Sequence, residues 1–115
     1  MKTVVERQQE ALAYCREVLL RFLDTTRFGF FLFGSQATGK ARRRSDIDIG
    51  IIGPEPVNPA LLNQLQEIFD ESDLLYKVDL IDFFQIRDPD FKRIASQSVQ
   101  WWNNPANLSA EKLRN

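Results

Sequence analysis

The chain contains no histidine and a single cysteine, Cys15, among its 115 residues. Without histidine it cannot form a Ser-His-Asp triad or a Cys-His couple, and it has no imidazole to bind zinc or to carry protons near neutral pH. A single cysteine allows no disulfide within the chain and no multi-cysteine metal cluster, which fits a reducing compartment. Any catalysis must therefore depend on carboxylates or on a metal ion, and the cytoplasm is the expected location.

The sequence also lacks an excess of charge of one sign and a long apolar segment. Its 15 basic and 16 acidic side chains leave a formal net charge of −1, so no overall field attracts nucleic acid or a membrane surface. The longest apolar stretch before the tail, residues 28–33 with one glycine inside it, is far shorter than the roughly 20 residues that span a bilayer. Charged residues follow the N-terminal methionine too soon for a signal peptide. We expect neither a membrane protein nor a nucleic-acid-binding one.

Apolar periodicity and cap residues predict three long helices. Asn58-Pro59 and Asp88-Pro89 each combine a capping side chain with a proline at the first helical position, which is typical of a helix start. The polar side of the second helix includes Gln64 and Gln66, and Trp101-Trp102 closes the last helix. The predicted helices cover residues 4–23, 59–70 and 89–99. On the apolar side of the first helix, Cys15 is expected to be a buried core thiol.

Three strands are predicted between these helices, at residues 30–33, 46–52 and 74–84. The first is a continuous apolar run, as expected for a central strand that is buried on both faces. The second alternates aspartate with isoleucine at the period of a strand. We predict one domain, residues 1–102, followed by a polar C-terminal tail, residues 103–115. Within that tail only a short helix after Ser109 is indicated, and there is no strong reason for the tail to pack.

The acids of the second predicted strand form the first candidate site. Asp46 and Asp48 are two residues apart, so their side chains leave the same face, with α-carbons about 6.5–7 Å apart. Like charges this close raise each other's pKa unless a cation neutralises them, and Mg²⁺ prefers oxygen ligands. A metal site is one interpretation. A solvated strand face with alternating acids is the other.

Small and basic residues lie between the first two strands. Gly34-Ser35 falls where a buried strand ends and a helix should begin, and the free N–H groups of a helix start can bind phosphate. An ordinary turn is the alternative for Gly-Ser alone. Lys40 and residues 42–44, which are all arginine, add a local charge of +4. That charge could hold a triphosphate, meet an acidic partner, or simply keep an exposed loop soluble.

In combination, Gly34-Ser35-Gln36-Ala37-Thr38-Gly39, five further residues and Ser45-Asp46-Ile47-Asp48 resemble the signature of the DNA polymerase beta-type nucleotidyltransferases. The match is close to the minimal nucleotidyltransferases, or MNT proteins. Family members carry a third carboxylate on a later strand, and Lys77-Val78-Asp79-Leu80 supplies that context. The resemblance covers roughly residues 28–82. It implies an α/β (α+β) fold similar to the polymerase beta palm, with a small mixed sheet and flanking helices.

The resemblance further implies a Mg²⁺-dependent enzyme that transfers a nucleoside monophosphate from ATP to a hydroxyl group. The residues that would act in catalysis and hold two Mg²⁺ ions are Asp46, Asp48 and Asp79. Because they would share one metal site, we expect the second and third predicted strands to lie close together. The residues that would bind the nucleotide are Gly34, Ser35, Arg42 and Ser45. Gln36 and Thr38 depart from the family, which often has arginines at these two positions. Asp82 lies on the opposite face from Asp79 by strand parity, and we expect it to face solvent or to cap the strand.

By the same resemblance, a small all-helical HEPN protein is the expected partner. In such pairs the MNT member is an antitoxin that transfers AMP to a tyrosine of the HEPN ribonuclease. Two alternatives stay open: a non-catalytic nucleotide-binding or regulatory subunit, and a transferase for a small molecule such as an aminoglycoside. Trp101-Trp102 could form a partner contact or belong to the core. The sequence leaves open the nucleobase, the acceptor and whether the chain forms a homo- or hetero-oligomer.

Overall fold

The structure, a computed structural model, describes residues 1–38 and 46–114, in which helices and strands alternate along the chain. Two 3-10 helices, Phe83–Gln85 and Ala110–Arg114, accompany the longer elements. The helices are α1 Val4–Phe22, α2 Ser35–Thr38, α3 Pro59–Asp70 and α4 Pro89–Ala95. The strands are β1 Gly29–Phe33, β2 Ile47–Ile52, β3 Val78–Asp82 and β4 Val99–Asn103.

The four strands form one mixed sheet in the order β3-β2-β1-β4. β1 is antiparallel to both β2 and β4, whereas β2 and β3 are parallel. All five residues of β1 are buried, as expected for an inner strand with an apolar sequence. A parallel pair needs a long crossover connection, and α3 supplies it between β2 and β3. The predicted α/β (α+β) class with a small mixed sheet is confirmed.

The sheet separates two hydrophobic cores. The first core lies under α1 and α3, where Leu19 and Leu65 pack with alternate residues of the inner strands, among them Leu32 and Ile49. Cys15 belongs to this core, and burial raises the pKa of its thiol to about 12. The expected buried thiol is confirmed. The second core lies on the opposite face and is smaller; its buried members are Phe31, Phe33, Phe83, Ala95 and Leu113.

The predicted helix starts are confirmed by their caps. The Asn58 side chain accepts a hydrogen bond from the Ala60 N–H (2.9 Å), and the Asp88 side chain accepts one from the Asp90 N–H (2.9 Å). Proline follows each cap, where its missing N–H costs nothing. Of the helices in residues 1–38 and 46–114, none has the length and apolar content needed to cross a bilayer.

The region after β3 departs from the sequence prediction. β3 covers Val78–Asp82 and is shorter at both ends than the predicted residues 74–84. It ends at Asp82 because the side chain of this residue accepts a hydrogen bond from the Phe84 N–H (3.1 Å) and starts a 3-10 helix. The last helix ends at Ala95, and the predicted helical residues that follow lead into β4. Trp101-Trp102 therefore lies on a strand. Valine and tryptophan favour strands, and the free edge of β1 supplies the backbone partners that a helix would have made internally.

The C-terminal residues pack more than the sequence indicates. A 3-10 helix does follow Ser109, and it carries Leu113 into the second core, where only 4% of that residue is exposed. Asn104 stabilises the turn between β4 and this 3-10 helix. Its side chain donates a hydrogen bond to the Leu108 carbonyl and accepts one from the Leu108 N–H (both 2.9 Å). The expectation of a tail without packing is wrong at Leu113. The division at residue 102 stays a prediction.

Candidate active site

The parallel pairing of β2 with β3 brings two of the predicted site residues together. Asp48 on β2 lies directly opposite Asp79 on β3 in the register of the strands. Both are half-buried, and by strand alternation both lie on the face of the second core, whereas Ile49 and Leu80 belong to the first core. The expectation that the second and third predicted strands lie close together is confirmed.

β2 begins at Ile47, one residue later than predicted, and Asp46 lies just before it and is exposed. Its charge nevertheless acts on Asp48. The pKa of Asp48 is raised above its ordinary value, first by burial, then by the charges of Asp79 and Asp46, while Lys77 acts in the opposite direction. The Lys77 Nζ lies 3.8 Å from Asp79 Oδ1, and its side chain is 70% exposed. One exposed lysine thus balances part of the negative charge of three carboxylates.

These carboxylates fit a hard divalent cation in chemistry and in electrostatics. Oxygen donors are the ligands that Mg²⁺ prefers, and a cation would relieve the repulsion that raises the pKa of Asp48. Among the residues that the structure describes, no three acidic or cysteine side chains converge closely enough to enclose an ion by themselves. The site is therefore a close pair, Asp48 with Asp79, beside the exposed Asp46, and a substrate phosphate could complete the ligand set.

The predicted Gly-Ser turn meets this pair. Gly34 has a φ of +73°, and a Cβ atom placed there would lie 2.5 Å from Asp48 Oδ2. Only glycine fits, both because this φ strains other residues and because the carboxylate occupies the space. The Gly34 carbonyl accepts hydrogen bonds from the N–H groups of Ala37 (3.2 Å) and Thr38 (3.3 Å), which closes the short helix α2. The backbone of the turn and the Asp48 carboxylate are thus in direct contact.

The remaining predicted nucleotide-binding residues are only partly described. Ser35 begins α2, directly after Gly34, where the sequence predicts a helix start. Gln36 is half-buried and Thr38 is exposed. Arg42 and Ser45 lie in residues 39–45, outside the part of the chain that the structure describes, and so do the other basic residues of that segment.

An aromatic cluster supports the sheet beside the acids. Phe33, the register partner of Asp48 on β1, packs against Phe83 with ring centroids 5.4 Å apart. Phe31 packs edge-on against Phe83 and Trp101, each at 4.9 Å. A Cβ at Gly50 would overlap the Phe31 ring, so this glycine is needed for the packing. These contacts make Trp101 a partly buried member of the second core. They do not test the predicted partner contact.

Asp82 is separate from the candidate site. Only 6% of it is exposed, and its carboxylate accepts hydrogen bonds from the Val57 N–H (2.9 Å), the Phe84 N–H (3.1 Å) and Gln85 Nε2 (3.0 Å). The prediction that it caps the strand end is confirmed, and the alternative that it faces solvent is wrong. Val57 belongs to the loop before α3, so its hydrogen bond places this loop over the Asp82 carboxylate.

Gln66 is a residue near the site that sequence reasoning missed. Helical periodicity places it on the polar side of α3, but it is half-buried and its amide bonds to the backbone of β3 on both sides of Asp79. No sequence signal distinguishes it from Gln64, because the contact depends on where α3 lies relative to the sheet edge.

The sequence of this chain matches a known protein family. A family model described as "Nucleotidyltransferase domain" matches residues 14–102, which include Gly34 and the three carboxylates. The chain is 36% identical over 87 residues to the Haemophilus influenzae protein named "Probable protein adenylyltransferase MntA"; the aligned part is 76% of this chain and 74% of that protein.

The fold is also similar to that of solved structures. One is a toxin-antitoxin structure with AMP-PNP, with a TM-score of 0.64 and 21% identity over 85% of this chain and 76% of that one. Another is the complex of a tri-AMPylated Shewanella oneidensis HEPN toxin with an MNT antitoxin, with a TM-score of 0.57 and 17% identity over 89% and 78%. At such identities the likeness shows the fold. The family model and the sequence relative together show that this chain belongs to the nucleotidyltransferase domain family, among its MntA-like minimal members.

Proposed function

We propose that this protein is an adenylyltransferase that moves AMP from ATP to a hydroxyl group, a tyrosine of a HEPN-type helical partner, and thereby acts as an antitoxin in the cytoplasm. The observation that carries the proposal is the meeting of Asp48, Asp79 and the Gly34 turn at one end of the sheet. The similarity to a protein named an MntA adenylyltransferase supports the reaction. The toxin-antitoxin complexes with the same fold, one with AMP-PNP and one with a tri-AMPylated HEPN toxin, support the substrate and the partner.

In this mechanism Asp46, Asp48 and Asp79 would hold two Mg²⁺ ions. When bound, these ions neutralise the triphosphate and lower the pKa of the acceptor hydroxyl. The contact between Gly34 and Asp48 supports this assignment, because it lets the backbone that follows β1 approach phosphates lying beside the carboxylates. Ser35, Arg42 and Ser45 are proposed to bind the nucleotide on the same side, on the strength of the family motif.

The transfer itself is an in-line displacement at the α-phosphorus of ATP. The acceptor oxygen forms a bond to this phosphorus while the bond to the bridging oxygen of pyrophosphate breaks, and pyrophosphate leaves. We assign the acceptor proton to Asp79, which stands on the outer strand of the pair and has a 36% exposed side chain, so an acceptor can reach it. The protein's share of catalysis is then mainly positioning and charge stabilisation.

A second candidate function is nucleotide binding without transfer. It is favoured by Gln36 and Thr38, neutral residues at positions where related motifs often have arginine. With fewer fixed positive charges, α2 and its surroundings would hold a triphosphate less firmly, and the chain would serve as a regulatory subunit. A small-molecule transferase remains the third candidate.

A transfer assay distinguishes these candidates. Purified protein is incubated with Mg²⁺ and α-labelled ATP, alone, with a co-expressed HEPN-type partner, and with an aminoglycoside. Asp48→Asn is the test variant, and Asp73→Asn, an exposed acid after α3, is the matched control. We expect label on a tyrosine of the partner with wild type and Asp73→Asn, and none with Asp48→Asn. Binding without transfer supports the regulatory candidate, label on the aminoglycoside supports the third, and full transfer by Asp48→Asn contradicts the proposed site.

A further inference from the structure

β3 is an outer strand of the sheet, and a side chain takes the place of its missing neighbour. The Gln66 amide donates a hydrogen bond from Nε2 to the Val78 carbonyl (2.7 Å) and accepts one at Oε1 from the Leu80 N–H (3.1 Å). An outer strand otherwise leaves such groups unpaired. One amide group therefore makes the two bonds that an adjacent strand would make at this point.

The two bonded residues flank Asp79. Successive backbone groups of a strand point to opposite edges, so the groups of Val78 and Leu80 that bond Gln66 point away from β2. The neighbouring Lys77 carbonyl points the other way and accepts from the Ile47 N–H on β2 (2.8 Å). Asp79 lies two residues after Lys77 on the strand, so its own N–H and carbonyl groups also point toward β2. The backbone around Asp79 is thus hydrogen-bonded to β2 along one edge of the strand and to the Gln66 amide along the other.

The orientation of the Gln66 amide is also fixed. Its Nε2 donates a second hydrogen bond to Asp70 Oδ1 (2.9 Å), one helical turn further along α3. A flipped amide would place its oxygen against the Val78 carbonyl and its N–H groups against the Leu80 N–H. α3 itself cannot shift easily, because Leu65 and Phe69 anchor it in the first core at 0% and 3% exposure.

We propose that Gln66 is a positioning residue for Asp79, holding this carboxylate at the distance from Asp48 that divalent-cation binding requires. The inference rests on the proposed function, since it assigns Asp79 to the metal site. The Gln66 amide makes its hydrogen bonds to the β3 backbone and to Asp70, not to the carboxylates of the candidate site. It acts through the backbone of β3, much as the hydrogen-bond partners of metal ligands orient those ligands in other proteins.

The test compares Gln66→Met with Gln64→Met. Methionine matches glutamine in length and helix propensity but forms none of the three hydrogen bonds of the amide, and Gln64 is an exposed residue of the same helix. Two properties are measured on the full chain: the exchange rate of the Leu80 amide by NMR, and the dissociation constant of Mn²⁺ by EPR in the presence of a non-hydrolysable ATP analogue. Gln66→Leu, which is neutral, favours helix and also lacks the amide, replaces Gln66→Met if that variant does not fold.

We expect Gln66→Met to speed exchange at Leu80 about fivefold, the effect of one lost neutral hydrogen bond. We expect it to raise the Mn²⁺ dissociation constant about tenfold, with Gln64→Met like wild type in both. A general loss of stability would reduce the folded fraction without changing the dissociation constant of the folded molecules. An unchanged Mn²⁺ dissociation constant would overturn the proposal, whatever the exchange rate. Failure of wild type to transfer AMP would contradict the proposed function but not this inference, because neither measurement depends on transfer.

Discussion

At the scale of single residues, Asp48 carries an electrostatic cost. Its pKa is raised by burial and by two neighbouring carboxylates, and Lys77 offsets only part of this. The folded protein therefore binds a proton at Asp48 more tightly than the unfolded chain, where the pKa is near its ordinary value of 3.8. Ionised Asp48 destabilises the metal-free fold. Such a cost is expected where a group is placed for function rather than for stability.

The first prediction concerns the pH dependence of stability, and its direction follows from the raised pKa of Asp48. Without metal, the folding free energy of wild type contains no penalty from Asp48 below pH 3.8, and the penalty grows as the pH rises through the raised pKa of the folded state. Asp48→Asn, which carries no charge, should gain stability relative to wild type over the same interval. Urea unfolding of both proteins in EDTA between pH 3.5 and 7 measures the difference. A difference that does not change with pH would contradict the assigned electrostatics.

A second residue-scale prediction concerns Asp82, a buried carboxylate with a structural role. Asp82→Ala would leave the N–H groups of Val57 and Phe84 and the Gln85 amide without their acceptor. Buried donors without partners are costly, so we expect a loss of about 3 kcal/mol of unfolding free energy. The matched change Asp90→Ala removes an acid whose side chain is 78% exposed, and should cost less than about 1 kcal/mol. Equal losses in the two variants, measured by urea unfolding, would show that Asp82 is not an internal anchor.

At the scale of elements, the part of the chain that follows α4 depends on distant contacts more than the part before it does. α1 and α3 follow from their own caps and periodicity, and both end within one residue of the predicted position. β4 and the 3-10 helix Ala110–Arg114 exist beside partners that are distant in sequence: β1 for the strand and the second core for the 3-10 helix. Local patterns cannot indicate such partners, which explains why the strand was predicted as the end of a helix.

The element-scale prediction tests whether the C-terminal 3-10 helix stabilises the domain. Leu113→Ala removes a side chain that is 4% exposed in the second core, and should reduce the unfolding free energy by about 2–3 kcal/mol. Leu75→Ala makes the same chemical change at 74% exposure and should have little effect. Thermal unfolding of the two variants gives the comparison. A Leu113→Ala protein as stable as Leu75→Ala would restore the interpretation of residues 103–115 as a tail without packing.

At the scale of the whole molecule, the site lies where the strands β1, β2 and β3 come together at one end of the sheet. β1 ends at the Gly34 turn, and β2 and β3 begin beside it, with Asp48 and Asp79 as their second residues. Ligand binding there should stabilise the entire fold, because ions and nucleotide bound to the native state favour it over the unfolded chain.

The corresponding prediction concerns the melting temperature in the presence of Mg²⁺ and a nucleotide. Mg²⁺ with a non-hydrolysable ATP analogue should raise the melting temperature of wild type, by the equivalent of about 2.7 kcal/mol at a hundred times the dissociation constant. EDTA should abolish the increase, and Asp48→Asn should show little of it. Differential scanning calorimetry with and without Mg²⁺ provides the measurement. An equal increase in Asp48→Asn would place the nucleotide away from these carboxylates.

The sequence by itself determined what depends on near neighbours along the chain. Cap residues fixed the helix starts, and the period-two acids of β2 placed Asp48 on one face. The spacing from the Gly34 turn to the acids, with a third acid on a later strand, indicated the family and the residues of the candidate site. The requirement of a shared metal site even indicated that β2 and β3 lie close together.

Only the tertiary structure decided what depends on contacts between distant segments. It set the strand order β3-β2-β1-β4, paired β4 with β1 and enclosed Asp82 under the loop before α3. It also brought Gln66 to the outer edge of β3. The physical reason is range: capping and periodicity act over about one helical turn or two strand residues, whereas an edge, a buried carboxylate or a core position is completed by residues far away in sequence.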